Sequence, residues 1–236
     1  MRRFLLLLDF LILTFLFVGC DVNPEKYSKI WAHRVNNPED ANKKIKRFYG
    51  IEIDLAYDKQ TREIFVSHDI EFYNKLTFRE FLTKIKTPEK PHYWLDVKNL
   101  EDNPGDICDT IIALADEYGF SNKFFVENWH SYALEIAKMK GIKTSLWVDD
   151  IFEKDEMDSI TWSEKVVDYM TVANPDFISA NYRMKDVIKI FLPDMQINLW
   201  QTPAEFNDEN AEITREICRD PHVKVLLVDY DKPISY

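Results

Sequence analysis

Four short stretches of the chain carry side chains whose types and spacing could do chemistry: His33-Arg34, Glu52-x-Asp54, Ser67-His68-Asp69 and Asp96-x-Lys98. Brought together, Glu52, Asp54 and Asp96 would place three like charges in one small volume. That is costly at low dielectric unless a cation joins them. Oxygen-only ligation suits one hard divalent ion, Mg²⁺ or Ca²⁺. Such an ion polarises a phosphoryl oxygen, and Arg34 and Lys98 could neutralise the remaining phosphate charge. His33 and His68 could then divide the acid and base roles, because imidazole titrates near neutrality. One would take a proton from an attacking hydroxyl or water, and the other would protonate the departing alkoxide. Farther along, Trp200 could stack on a substrate's apolar or sugar part, or plug the interior as a plain aromatic.

Each stretch alone also has a structural explanation. His33-Arg34 could be a surface pair, Glu52-x-Asp54 the solvated face of an edge strand, His68-Asp69 a turn, and Asp96-x-Lys98 a buried ion pair. Their joint placement at the ends of successive strands favours chemistry.

The elements that would position them alternate. Candidate strands are Ile30–His33, Ile51–Ala56, His92–Val97, Phe124–Asn128, Thr144–Val148, Phe177–Ala180, Gln196–Trp200 and Val223–Val228. They are short and rich in Val, Ile, Phe and Trp, as buried parallel strands are. Glu63–Ser67 is an extra extended piece able to form a hairpin with the second strand. Asn37-Pro38 marks a helix start. Thr77–Glu80, Thr161–Glu164 and Thr202–Glu205 have the capping-box pattern, while Gly119 and Gly141 are placed to end helices. Eight strands, each but the last followed by a helix, predict an α/β protein with a (β/α)8 TIM barrel. An open doubly wound sheet is disfavoured, because no Gly-rich turn follows the first strand and the chain has only 5 Gly.

In such a barrel the strand ends form the active face. Glu127 ends the fourth strand, a position suited to a glycosidase acid, but the seventh strand ends in Leu199-Trp200-Gln201 with no second carboxylate. Glu127 is therefore expected to contact substrate or support its neighbours. Asp149-Asp150, beyond the fifth strand, could line the mouth, but an acid pair there is more often a helix start.

A net charge of −11 argues against nucleic acid as a partner. Residues 1–20 combine Arg2 and Arg3 with an apolar run ending at Gly19-Cys20, the form of a signal peptide with a lipobox-like end; an uncleaved membrane anchor is the alternative. The expectation is an exported protein of a bacterial cell envelope, held to the membrane by a lipid on Cys20, with residues 21–236 forming the barrel. Cys108 and Cys218 are expected to be buried free thiols rather than a disulfide framework.

The series His33-Arg34, Glu52-x-Asp54, His68-Asp69 resembles the signature of the glycerophosphodiester phosphodiesterases, within the phospholipase-C-like phosphodiesterase superfamily. The segments at Trp200-Gln201-Thr202 and Val228–Pro233 resemble the seventh- and eighth-strand regions of that family. The resemblance implies that His33 and His68 are catalytic, that Glu52, Asp54 and Asp96 are metal ligands, and that Lys98 is the basic residue after the third ligand. It implies a lipid-derived or other small phosphodiester as substrate. Val35 departs from the family's glycine, so the loop there is expected to be shaped differently. Asp96 in place of Glu, and only 22 residues between Asp69 and His92, are similar to the sphingomyelinase D-like phospholipases. Those features imply no large insertion domain, and they leave hydrolysis and cyclisation both open. The reading from another class is a catalytically silent barrel that serves as a surface ligand-binding protein.

Overall fold

The structure is a computed structural model that describes residues 28–69, 76–152, 158–200, 207–231 and 233. The signal-like segment with Cys20, the Thr202–Glu205 pattern, and Gln201 therefore lie outside the described residues. No helix among the described residues is long and apolar enough to cross a membrane.

Strand β1 (Ile30–Ala32) is followed by helix α1 (Pro38–Lys44). The Asn37 side chain accepts hydrogen bonds from the backbone N–H of Glu39 and Asp40, and Pro38 occupies the first turn, where its missing N–H costs nothing. Strand β2 (Gly50–Asp58) turns back into β3 (Glu63–Val66) as an antiparallel hairpin. Thr77 and Glu80 close a reciprocal capping box on α2 (Phe78–Lys84).

Then β4 (His92–Val97), α3 (Pro104–Tyr118), β5 (Phe124–Asn128), α4 (Ser131–Met139), β6 (Thr144–Trp147), α5 (Ser159–Ala173), β7 (Phe177–Asn181), α6 (Lys185–Phe191), β8 (Gln196–Trp200), α7 (Asp208–Arg219) and β9 (Val223–Val228) alternate. Gly119, with φ of 78°, ends α3 in the left-handed conformation that favours glycine.

All strands except β3 are parallel to their neighbours, and β1 pairs with both β9 and β2. That pairing closes an eight-stranded barrel, with β3 outside it. Side chains alternate across each strand. Ile51, Ile53 and Leu55 of β2 face the helices, as do Tyr93, Leu95 and Val97 of β4. Trp31, Trp94, Phe125, Val225 and Leu227 pack in a separate cluster inside the ring. Gly50 is required where β2 passes Trp31, since a Cβ there would lie 2.3 Å from the indole.

Two expectations are corrected. The Thr161–Glu164 pattern does not start α5; Asp158 caps it instead, accepting from Ile160 and Thr161 N–H. Aspartate is the stronger cap and comes first along the chain. Among the described residues Asp149 and Asp150 begin no helix; they pair with Lys165 and Arg183 respectively. Cys108 and Cys218 are free and buried.

Candidate active site

The C-terminal ends of the strands surround a cavity of about 400 Å³. His33, Arg34, Glu52, Asp54, His68, Asp96, Lys98 and Trp200 all line it, so every site residue singled out from sequence meets at one place.

Strand register explains the meeting of the acids. Asp54 is paired with Asp96, and Asp96 with Glu127, across three neighbouring strands. In a parallel sheet such partners project to the same side, here the interior. Glu52, Asp54 and Asp96 each offer a carboxylate oxygen, and these atoms lie within 4.8 Å of one another. Glu52 is held well above its ordinary proton affinity, first by burial and then by the charges of Asp54 and Asp96. Burial also raises Asp96. Burial pushes Asp54 the same way most strongly of any single cause, but the charge and hydrogen bond of Lys98, the Asn36 hydrogen bond and the charge of His68 together outweigh it, and this carboxyl ends below its usual range. The donor set is wholly carboxylate oxygen, and the raised proton affinities of Glu52 and Asp96 show it to be short of positive charge, so it fits a hard divalent cation.

Lys98 supplies part of that charge. Its ammonium lies 2.6 Å from Asp54 Oδ1 and also pairs with Asp96. Burial works against its positive charge, but these two acids overcome it and raise its proton affinity. Lys98 thus stands among the carboxylates as their counter-ion.

Backbone and amide groups fix the acids. Arg34 adopts a left-handed φ of 51°, and its N–H donates to Glu52 Oε2 at 2.6 Å. The departure at residue 35 thus leaves the unusual turn on Arg34, while Val35 is buried and donates its N–H to the Glu52 carbonyl. Asn36 grips Asp54 twice: it donates to Oδ2 at 2.6 Å and accepts from the Asp54 N–H at 2.9 Å.

His33 Nδ1 lies 3.0 Å from Asp229 Oδ1, at the end of β9. With the proton on Nδ1, this bond orients the ring and leaves Nε2 for chemistry. Burial raises the Asp229 carboxyl, but the His33 hydrogen bond and nearby positive charges outweigh it and hold it low. The His68 side chain is 57% exposed at the rim, with Nδ1 3.1 Å from Asp69.

Glu127 is 3% exposed. Its Oε2 accepts from the Trp94 indole N–H at 2.7 Å, and the Ser179 side chain lies close enough to lower its proton affinity in part. Burial, then the charge of Asp96, pushes its carboxyl up to about 8. Trp147 and Trp200 stack with parallel rings, 6.2 Å between centroids, and Trp129 completes an aromatic side of the mouth.

Sequence reasoning missed Asn36, the support that Asp229 gives His33, and the tryptophans at positions 94, 129 and 147. Asp229 was accessible in principle, because closing an eight-stranded ring makes the last strand a neighbour of the first.

No protein-family model matches the chain, and no curated protein matches it in sequence. Solved structures do match. A glycerophosphodiester phosphodiesterase from Parabacteroides distasonis is 13% identical, with a TM-score of 0.57, covering 86% of this chain and 93% of its own. A phosphodiesterase from Oleispira antarctica, in complex with the product sn-glycerol-3-phosphate, is 13% identical with a TM-score of 0.57, covering 87% and 93%. This is the barrel fold of the glycerophosphodiester phosphodiesterases. A glycerol uptake operon antiterminator regulatory protein from Listeria monocytogenes is also similar, at 10% identity and a TM-score of 0.54, covering 86% and 92%. The phosphodiesterase-type barrel therefore does not decide function, and the site must.

Proposed function

We propose that the protein is a divalent-metal-dependent phosphodiesterase acting on glycerophosphodiesters or phospholipid head groups. The observation that carries this reading is the convergence of three carboxylates within 4.8 Å, in a cavity that His33 and His68 also line. The product bound by the Oleispira antarctica barrel supports a small phosphodiester as substrate.

Glu52, Asp54 and Asp96 would hold the cation, which when bound supplies Lewis acidity and offsets charge on the phosphoryl oxygens. Arg34 and Lys98 add positive charge at the same mouth. His33, oriented by Asp229, takes the proton of the attacking hydroxyl, from water or from the substrate itself. His68, at the open rim, protonates the leaving oxygen as it departs towards solvent. Trp200, with Trp147, offers an apolar surface to the alcohol portion.

The test uses turnover of glycerophosphocholine and bis(p-nitrophenyl) phosphate with Mg²⁺ or Ca²⁺, against EDTA. His33→Ala should lower both rates by roughly 10²–10⁴-fold, the usual loss for a general acid or base. His68→Ala should lower the glycerophosphocholine rate comparably but the p-nitrophenyl rate far less, because p-nitrophenolate leaves without a proton. Product analysis separates hydrolysis from cyclic phosphate formation. No turnover on either diester together with no metal binding would leave the silent barrel as the reading.

A further inference from the structure

The opposite mouth of the barrel has a charge pattern that the acidic chain as a whole does not suggest. Lys29, Lys123 and Lys143 immediately precede β1, β5 and β6, and Lys224 is the second residue of β9. Strand starts lie together on one face of a parallel barrel, away from the catalytic face. With His92, the first residue of β4, these lysines rim a cavity of about 370 Å³. No described residue lining it is acidic, although the chain carries 41 Asp and Glu against 30 Lys and Arg.

None of the four amines forms an ion pair among the described residues, although the Asp220 carboxylate acts on Lys29 from beyond the rim. Lys123 donates to the Glu89 carbonyl, and Lys29 to the Asp220 carbonyl; a carbonyl satisfies a donor without cancelling its charge. Lys143 and Lys224 are exposed and form no ion pair among the described residues. Burial and then the charges of Lys123, Lys143 and Lys224 all lower the proton affinity of His92, so the three amines act on one point. A concave surface of one sign concentrates the field on an incoming counter-ion.

The cavity is also aromatic. Trp31, Phe125 and Phe177 form its floor, and Tyr49 stacks on His92 with ring centroids 4.5 Å apart. Phe125 packs on Trp94, 5.1 Å between centroids. An aromatic layer therefore lies between this cavity and the one at the other end, where Trp94 is a lining residue.

We propose that this mouth is a second binding site, for a small organic anion that joins a phosphate, sulfonate or carboxylate head to a flat ring. Lys143 and Lys224 attract the head, and the Trp31–Phe125 floor receives the ring. The site needs no metal and is independent of the catalytic reading.

The test is isothermal titration calorimetry of the whole protein with 1-naphthalenesulfonate, in EDTA at low ionic strength. Wild type and His33→Ala should bind one equivalent alike. The double variant Lys143→Glu/Lys224→Glu should bind at least 10-fold more weakly, about 1.4 kcal/mol, with an unchanged melting temperature. If reversal disturbs folding, Lys143→Gln/Lys224→Gln should still weaken binding measurably. Inorganic phosphate should bind less tightly than the sulfonate, since it has no ring, and 0.5 M salt should weaken both. Equal affinity in folded double variants, loss of binding in His33→Ala, or no heat of binding would each overturn the proposal. So would capture by phosphatidylglycerol vesicles without binding of the sulfonate, which would make this face a membrane contact.

Discussion

Replacing Glu127 by glutamine should change how stability depends on pH. The folded carboxyl keeps its proton up to about 8, against 4.5 for an ordinary glutamate, through burial and the charge of Asp96. Between those values the native state binds a proton that the unfolded chain has released. Its stability contribution is therefore complete below about 4.5 and is lost as pH rises through 8. At about 1.36 kcal/mol per pH unit, that span amounts to roughly 4–5 kcal/mol. The substituted amide would occupy nearly the same volume, keep an acceptor for the Trp94 indole and carry no titrating group. Urea denaturation followed by tryptophan fluorescence from pH 5 to pH 9, in EDTA, should show wild type losing several kcal/mol more than the variant. Parallel stability curves would refute the reasoning, because Glu127 would then titrate alike in both states.

Asp229→Asn should lower kcat by roughly 10²–10⁴-fold, the scale for losing an oriented general-base histidine, with KM little changed; an unaltered kcat would mean that His33 holds its orientation unaided. Lys98→Met should destabilise the metal-free protein by about 3–5 kcal/mol at pH 7, because it strands buried carboxylates, and millimolar Mg²⁺ or Ca²⁺ should restore much of the loss. Equal melting of the variant with and without the ions would count against the cation site. We propose from the lipobox-like pattern alone that Cys20 carries a lipid: Cys20→Ser should abolish palmitate labelling, and labelling that persists would exclude Cys20 as the anchor.

The barrel was legible because its grammar is local. Short apolar runs alternate with capped helices, and each expected strand agrees with the observed one to within a few residues at its ends. The acids were legible for the same reason: Glu52 and Asp54 stand two apart on one strand, and so on one face. What could not be read depends on which strands are neighbours and in what register. The row Asp54, Asp96, Glu127 exists only through the pairing of β2, β4 and β5, and with it the unusual proton affinity of Glu127. Asn36 and the Arg34 N–H act through a turn whose left-handed residue is an arginine, where no residue type announces it. The Thr161 pattern misled because a stronger cap, Asp158, lies three residues earlier.

The hydrogen bond between His33 and Asp229 spans 196 positions of sequence. A nascent chain carries His33, Glu52, Asp54, His68 and Asp96 long before β9 is made, yet that imidazole has no orienting partner until the last strand docks beside the first. For the phosphodiesterase proposed above, competence would arrive late, when the ring shuts. A ribosome-bound or C-terminally shortened form would display nearly all of the reactive groups without the closed ring that orients them, so the proposed turnover would serve as a gauge of completed folding.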